Sequence, residues 1–359
     1  MFGLFSGLKF LIHSQSVTID NVVCRLHYRL TVIILLAFTL LMSAHEYFGE
    51  PIYCTEESNV PTKLMNTFCW IHSTFSVERA WEDTVGTKGV PYPGIAQAKN
   101  GDLKVYHKYY QWVPFMLFIQ AILFYIPRYL WKLKEGGRVK RLILGLDSAV
   151  IPEDQKEYNI RLLLNYFRCN LNTSNSFFAF YVFTEFLNFG NVVFQMYLIN
   201  KFLGGTFMSY GWRVLMFEDW SPELRFDPML RVFPRMAKCI FHLYGSSGDV
   251  KKHDVLCLLP INILNEKIYI FLWFWMWFLL IVTLCLLIFR VLTISLPFVR
   301  ILVTQSRCFP SARRSLNKII QEINVGDWYF LDLLSRNIDR INFSEFVEKC
   351  EKTFESKAA

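Results

Sequence analysis

The sequence predicts an all-α integral membrane protein, with four transmembrane helices, disulfide-stapled extracellular loops and a helical cytoplasmic domain. Three observations lead to this class. Of the 359 residues, 53% are hydrophobic and only 19% are charged, which is more apolar than a typical soluble domain. Four apolar segments are long enough to cross a bilayer, where lipid offers the backbone no hydrogen bonds. Basic residues and cysteines are distributed unevenly among the segments between them.

The four spans divide the chain into nine parts. The predicted parts are a cytoplasmic N-terminal helix (1–25), the first span (26–47), the first extracellular loop (48–108), the second span (109–131), a cytoplasmic loop (132–176), the third span (177–200), the second extracellular loop (201–266), the fourth span (267–296) and a cytoplasmic helical region (297–359). The fourth span is the clearest, because residues 268–289 carry no charge. The N-terminal segment lacks a basic n-region and a small-residue cleavage site, so we expect it to be retained.

Basic side chains near the spans set this predicted orientation. Five of them follow the second span directly: Lys132, Lys134, Arg138, Lys140 and Arg141. The first loop has no lysine or arginine before Lys63. Because lysine and arginine accumulate on the cytoplasmic side of membrane proteins, the second span is expected to end in the cytoplasm. The signal is not unanimous, since the second predicted extracellular loop holds eight basic residues of its own.

Cysteines give an independent indication of the outer loops. Cys54 and Cys69 lie in the first predicted extracellular loop, and Cys239 and Cys257 lie in the second. An oxidising exterior favours disulfides between them, and four cysteines allow three pairings. With His242 and His253, Cys239 and Cys257 also fit the spacing of a tetrahedral zinc site. Disulfides are the favoured interpretation, because an oxidised cysteine cannot bind metal as a thiolate.

The stretch YYQWV, residues 109–113, opens the second span and resembles a signature of the innexins, the invertebrate gap-junction proteins. Four other stretches support the resemblance: YIPRYLWK at 125–132, RVFPRMAKC at 231–239, NEKIYIFLWFW at 265–275 and GDWYF at 326–330. The resemblance therefore covers nearly the whole chain, together with the four spans and two cysteines per outer loop.

The resemblance implies a subunit of a large-pore gap-junction channel in the plasma membrane, passing ions and small metabolites between adjacent cells. It implies rings of eight subunits that dock end to end and that mix with other innexins, in contact with membrane lipid and without a cofactor. It also implies the crossed disulfides Cys54–Cys257 and Cys69–Cys239. The related pannexins suggest an alternative, an undocked hemichannel that releases solutes such as ATP.

The signature stretch has two interpretations. It consists of Tyr109, Tyr110, Gln111, Trp112, Val113 and Pro114. Tyrosine and tryptophan favour the membrane interface, so the stretch anchors the outer end of the second span. Pro114 lacks an N–H, which leaves the carbonyl of Tyr110 without a helical partner and predicts a bend that sets the direction of the outer loop. The alternative is an interfacial aromatic belt with a proline that the fold merely tolerates.

The pore candidates come from the N-terminal segment and the first span. Phe2 and Phe5 lie on an apolar stripe at helical spacing, with Lys9 beside it. Such a helix either rests on the inner membrane surface or, as the resemblance implies, folds into the pore.

In the first span, three hydroxyl residues and one leucine recur every four residues and form a set that is called the polar stripe below. The stripe consists of Thr31, Leu35, Thr39 and Ser43. It fits either a water-facing wall or close packing against a neighbouring helix. Glu46 and Glu50 follow at the outer mouth, where a mildly acidic vestibule would favour cations.

Glu185 is a carboxylate within the third span, and Asn188 and Gln195 lie on roughly the same helical face. A charge facing lipid is costly, so this side chain must face protein or water. Hydrogen bonding between helices is the favoured interpretation, and a position on the pore is the alternative.

The sequence contains no phosphate-binding loop, nucleophile elbow or metalloprotease helix, so we expect neither an enzyme nor a metal site. The net charge of +8 fits an inner face beside anionic lipid rather than a nucleic-acid surface. A four-helix adhesion or scaffold protein remains as an alternative from another class. Two long outer loops argue against the tetraspanin arrangement, which has one small loop and one large loop.

Overall fold

The computed structural model describes most of the chain. The described residues are 17–55, 60–83, 85–86, 89–99, 101–143, 145–217, 228–244 and 248–358, with side chains up to residue 352. The chain separates into two compact units. The first contains Met1–Ile33, Leu123–Asn191 and Leu279–Ala359, and the second contains Ile34–Ile122 and Val192–Phe278.

Four long apolar helices are present, as the sequence predicts. They are α1 (Val22–Phe48), α3 (Tyr110–Glu135), α6 (Asn175–Phe202) and α9 (Pro260–Ser295). The shortest has 26 residues and rises about 39 Å at 1.5 Å per residue. Each helix therefore exceeds the ~30 Å hydrocarbon core of a bilayer.

Local irregularities mark two of these helices. Residues Leu26–Thr31 of α1 form a π-helical stretch, in which the buried His27 places Nε2 2.8 Å from Oγ1 of Thr283. The first turn of α3, Tyr110–Trp112, is a 3₁₀ turn, and the α-helical part begins at Val113. A π-helical insertion inside an α-helix is uncommon and often occurs at functional sites.

The remaining helices of the first unit pack into a helical domain. They are α4 (Arg138–Ile143), α5 (Glu153–Cys169), α10 (Pro297–Gln305), α11 (Arg313–Glu322), α12 (Val325–Ser335) and α13 (Arg340–Ala358). Their apolar faces form one core that includes Trp328, Phe343 and Phe346. Apolar residues at three- and four-residue spacing predict α5, α11 and α12, and all three are helices.

The second unit contains a five-stranded antiparallel sheet that the sequence analysis did not predict. Its strands are β1 (Tyr53–Cys54), β2 (Thr74–Val77), β3 (Lys104–His107), β4 (Met236–Tyr244) and β5 (Val250–Leu258). They are arranged in the order β1-β5-β4-β2-β3. The paired strands β4 and β5 of the second loop therefore lie between β1 and β2 of the first loop, with β4 and β5 paired from Met236↔Leu258 to Tyr244↔Val250.

Among its described residues, the second unit also contains three short α-helices. They are α2 (Thr62–His72), α7 (Phe207–Leu215) and α8 (Pro228–Val232). Buried residues of α2 pack with β4 and β5 in a core that includes Met65, Phe241 and Val255. The sheet and α2 make one compact body from two segments far apart in sequence.

Candidate functional site

Two disulfides join the loops of the second unit. Cys54 of β1 is bonded to Cys257 of β5, and Cys69 of α2 is bonded to Cys239 of β4. This is the crossed pairing that the resemblance implies. The bonds link residues 203 and 170 positions apart, and such cross-links typically contribute about 2–4 kcal/mol each. Cys239 and Cys257 belong to different disulfides, so neither offers a thiolate to the zinc site considered above.

The signature stretch lies largely inside the second unit. The hydroxyl of Tyr109 donates to the carbonyl of Val232 at 3.1 Å. Tyr110 is fully buried and stacks on Trp70, with ring centroids 4.8 Å apart. Gln111 donates from Nε2 to the carbonyl of that same tryptophan. These contacts attach the start of α3 to the stapled loops.

Tyr110 departs from the expectation for an interfacial anchor, and Pro114 departs from the expectation of a bend within the helix. Trp112 is exposed, as a residue at the membrane interface would be, whereas Tyr110 is buried in protein. Pro114 is the second residue of the α-helical part of α3. A first-turn proline costs no helical hydrogen bond, so its position fits a helix start rather than a bend within a helix.

The polar stripe of the first span divides into two halves. Thr31 is fully buried and its hydroxyl donates to the carbonyl of Leu26 at 2.9 Å. Leu35 is also fully buried. Thr39 and Ser43 are half-buried, and the hydroxyl of Thr39 donates to the carbonyl of Leu35 at 2.8 Å. Only the second half of the stripe is therefore accessible from outside the subunit.

The two acids at the end of α1 differ in exposure. Glu46 is half-buried, whereas Glu50, two residues beyond the helix, is exposed. The hydroxyl of Tyr53 is hydrogen-bonded to Glu50, and this raises the pKa of that tyrosine. The hydrogen bond requires the Glu50 carboxylate as acceptor, so it fits an acidic surface at this position.

Glu185 of α6 takes part in a buried ion pair. Its carboxylate accepts from Nε and Nη2 of Arg290 at 2.8 and 2.6 Å, and from Nδ2 of Asn21 at 2.8 Å. The guanidinium of Arg290 lies 5.3 Å from the ring centre of Tyr181 and 5.9 Å from that of Tyr329. Hydrogen bonding between helices, the favoured interpretation of Glu185, therefore describes its contacts in this subunit.

Residues 18–21, here called the strap, connect the N-terminal segment to α1 and are bonded at every position. The backbone N–H of Thr18 donates to Oδ1 of Asn337 at 2.6 Å, and Nδ2 of Asn337 donates back to the Thr18 carbonyl at 2.8 Å. The carbonyl of Ile19 accepts from Nε1 of Trp131 at 3.2 Å. The strap is thereby fixed to α3 and to the loop after α12.

The strap also contains a buried ion pair. Asp20 accepts from Nη1 of Arg128 at 2.6 Å, and both side chains are about 5% exposed. Tyr28 donates from its hydroxyl to the same carboxylate at 3.1 Å. Burial raises the pKa of Asp20, and the guanidinium of Arg128 offsets part of this effect.

Several residues of these networks were missed by the sequence analysis. They are Asp20, Asn21, Arg128, Arg290 and Asn337. A usable signal existed for Arg290, because a carboxylate within a span requires a cationic or hydrogen-bonding partner. The candidates Phe2, Phe5 and Lys9 lie outside the described residues.

Comparison with known proteins gives a family match over nearly the whole chain. The family model described as Innexin matches residues 20–354. Innexin inx2 of Schistocerca americana is 45% identical over 99% of both chains. Innexin inx2 of Drosophila melanogaster is 45% identical, and Innexin shaking-B of the same organism is 43% identical, each over 97% of this chain and 94% of the relative.

Proposed function

The chain belongs to the innexin family, and from this we propose that it is a subunit of a gap-junction channel that passes ions and small metabolites between adjacent cells. Innexins are channel proteins of the plasma membrane, and membership implies assembly into an oligomeric channel. The observation that carries the proposal is the stapled sheet, in which two disulfides and strands from both loops form one body. A rigid body presents the same surface in every copy, as docking of two rings requires.

We place the two disulfide-linked loops outside the cell, and the N-terminus, residues 132–176 and residues 297–359 in the cytoplasm. The distribution of cysteines supports this arrangement, because disulfides persist in oxidising compartments. Among the described residues, the four bonded cysteines lie in the two loops. The free cysteines are Cys24, Cys169, Cys285, Cys308 and Cys350.

Epitope tags test this orientation. Tags inserted near Lys156 and at Ala359 should bind antibody only after permeabilisation, whereas a tag near Asn59 should bind on intact cells. Labelling of Ala359 on intact cells would contradict the arrangement.

The proposed assembly is a ring of eight subunits that docks with a ring in the adjacent cell and admits other innexins as partners. Four helices of one subunit cannot enclose a wide aqueous path, whereas several subunits around an axis can. Single-particle images of the purified protein along its symmetry axis would count the subunits. A monomer or dimer in these images would contradict the proposed pore.

The proposed pore wall consists of the N-terminal helix, with Phe2, Phe5 and Lys9, and the outer part of α1. The accessible half of the polar stripe and the acids beyond it supply Thr39, Ser43, Glu46 and Glu50. Thr31 is left out, because it is buried within the subunit. Deleting residues 2–11 should give rings that assemble with an altered single-channel conductance. Normal assembly with unchanged conductance would exclude the pore placement of this helix.

Paired cells that lack other junction proteins provide the test of function. Electrical coupling and dye transfer should appear only when both cells express this chain or a compatible relative. Adhesion of the pair without coupling would favour the scaffold alternative. Current in single cells without coupling in pairs would favour the undocked hemichannel.

A further inference from the structure

Helix α10, residues Pro297–Gln305, packs Ile301 and Val303 against the core but also buries a cation and exposes two large apolar side chains. Phe298 and Leu302, one turn apart, are 67% and 52% exposed. Arg300 and Thr304, also one turn apart and on the opposite side, are 8% and 0% exposed. A surface helix in water turns its apolar stripe towards the core, so this arrangement indicates that the outer side of α10 faces something apolar.

The buried polar side holds α10 in place. Arg300 donates from Nε to the carbonyl of Thr293 at 3.0 Å and from Nη2 to that of Ile294 at 3.2 Å. These carbonyls belong to the last turn of α9, which has no helical donors for them. At the other end, Nε1 of Trp328 donates to the hydroxyl of Thr304 at 3.0 Å. With both ends bonded, α10 cannot rotate its apolar side inwards without breaking these hydrogen bonds.

The apolar side of α10 continues a surface of α9. Ile281, Leu284, Ile288 and Val291 follow one another at three- and four-residue spacing, and each is 46–58% exposed. Leu296, between the two helices, is exposed as well. On a membrane-spanning helix, an exposed apolar stripe of this kind faces lipid, so the same environment extends to α10.

The length of α9 determines how deep in the bilayer α10 begins. From Lys267, its last basic residue before the charge-free stretch, to Ser295, its last residue, the helix rises roughly 42 Å at 1.5 Å per residue. This matches the ~40–45 Å of a bilayer including both headgroup layers. Pro297 then starts α10, because the extended residue before a proline ends the preceding helix. The helix α10 therefore begins at the headgroup level of the leaflet opposite to Lys267.

We propose that α10 is an interfacial helix bound to membrane lipid, with the side chains of Phe298 and Leu302 in the boundary between headgroups and acyl chains. Its ligand is the lipid surface itself, and its polar side connects that surface to the helical domain through Arg300 and Thr304. The proposal depends on the membrane-spanning position of α9 and not on conduction or docking.

Lipid quenching tests the contact directly. An environment-sensitive fluorescent amino acid replaces Phe298 or Leu302 in the full chain, and the purified rings are reconstituted in nanodiscs that contain lipids with a nitroxide near the headgroup. Tyr158 on α5 provides the matched control, because it is also a large side chain, with 63% exposure, beside the exposed ion pair of Arg161 and Glu157.

Labels at 298 and 302 should be quenched several-fold more strongly than the label at 158, with emission shifted to shorter wavelength. Quenching at 298 and 302 no greater than at 158 would overturn the proposal. A photo-crosslinking residue at position 298 distinguishes lipid from a neighbouring subunit, which is the other apolar surface that could cover α10. Adducts with lipid would support the proposal, whereas adducts joining two copies of the chain would assign this surface to a neighbouring subunit. None of these measurements uses current, so their failure would not affect the proposed channel function.

Discussion

Replacing Arg290 with glutamine should destabilise the helix bundle, because it leaves the Glu185 carboxylate buried without its cation. The Glu185 side chain is fully buried and that of Arg290 is 7% exposed. Two hydrogen bonds join them, at 2.6 and 2.8 Å. Of the hydrogen-bond donors to the Glu185 carboxylate described above, the variant keeps Asn21 and loses Arg290. A neutral amide donor compensates for a buried negative charge far less well than a guanidinium does.

The magnitude follows from the burial of the pair. Removing one member of a buried ion pair typically costs about 3–5 kcal/mol, chiefly through the uncompensated charge that remains. Exposed pairs contribute only about 0–1 kcal/mol. Replacing both Glu185 and Arg290 with glutamine removes both charges and leaves two amides that can hydrogen-bond. The double variant should therefore lose much less stability than the sum of the two single variants.

Heating purified rings and measuring the fraction that still elutes as intact assemblies gives a midpoint for each variant. All variants are heated at one scan rate, because unfolding of such assemblies is often irreversible and rate-dependent. Arg161→Gln on α5 is the matched control, since its pair with Glu157 is exposed and 3.5 Å long. The expected order of midpoints places wild type and Arg161→Gln together, the double variant below them and Arg290→Gln lowest.

Two results would refute this reasoning. Equal midpoints for Arg290→Gln and Arg161→Gln would show that burial of the pair has no consequence for stability. Additive losses in the Glu185 and Arg290 single and double variants would show that the two side chains act independently.

Three further predictions concern other parts of the chain. Asn337→Leu should speed hydrogen exchange of the strap amides, whereas Asn165→Leu at an exposed position should not. Equal exchange rates in the two variants would contradict a role of Asn337 in holding the strap. Cys69→Ser should abolish cell-to-cell coupling and Cys285→Ser should preserve it, because Cys69 is disulfide-bonded to Cys239 whereas Cys285 is free. Normal coupling by Cys69→Ser would show that docking does not require this disulfide. Burial lowers the pKa of His107 to about 4, so the unfolded chain binds a proton between pH 6.5 and 4 that the folded chain does not. Stability should then fall by up to about 3 kcal/mol as the pH drops through this window, and His107→Gln, compared with wild type by thermal melting, should remove that part of the dependence.

The membrane helices and the disulfide partners were the parts that sequence alone could predict. Residues 268–289 carry no charge, and an uncharged apolar stretch of this length is typical of a membrane-spanning helix. The pairing of Cys54 with Cys257 came from the family resemblance, because spacing alone left three possibilities. Helices α5, α11 and α12 of the helical domain were predicted from their apolar periodicity, which needs no knowledge of neighbouring segments.

The sheet was missed because its strands depend on partners far away in sequence. β1 has two residues, and β2 and β3 have four each, which is too short for a reliable alternating pattern. The β4–β5 hairpin had a local signal, since Gly245, Ser246, Ser247, Gly248 and Asp249 separate the two runs. Such residues favour a turn between strands.

The buried ion pairs were missed for a different reason. Arg128 and Arg290 stand near the ends of apolar segments, where a sequence reading assigns basic residues to the membrane surface. In the structure, both guanidiniums turn into the protein and meet Asp20 and Glu185. The free-energy cost of placing Glu185 within a span could be recognised from the sequence. Its partner could not be identified without knowing which helices are neighbours.

The strap limits where the N-terminal helix can reach. Thr18 is held by Asn337, and Asp20 by Arg128, so the chain leaves the bundle at a fixed point. Phe2 is sixteen residues away from Thr18. A helix of that length, as its amphipathic spacing predicts, spans about 24 Å. If this helix forms and Phe2 lines the proposed pore, we expect the constriction within about 24 Å of the strap, which is less than the ~30 Å hydrocarbon core. On the pore placement proposed above, the N-terminal helix narrows the part of the pore nearest the strap.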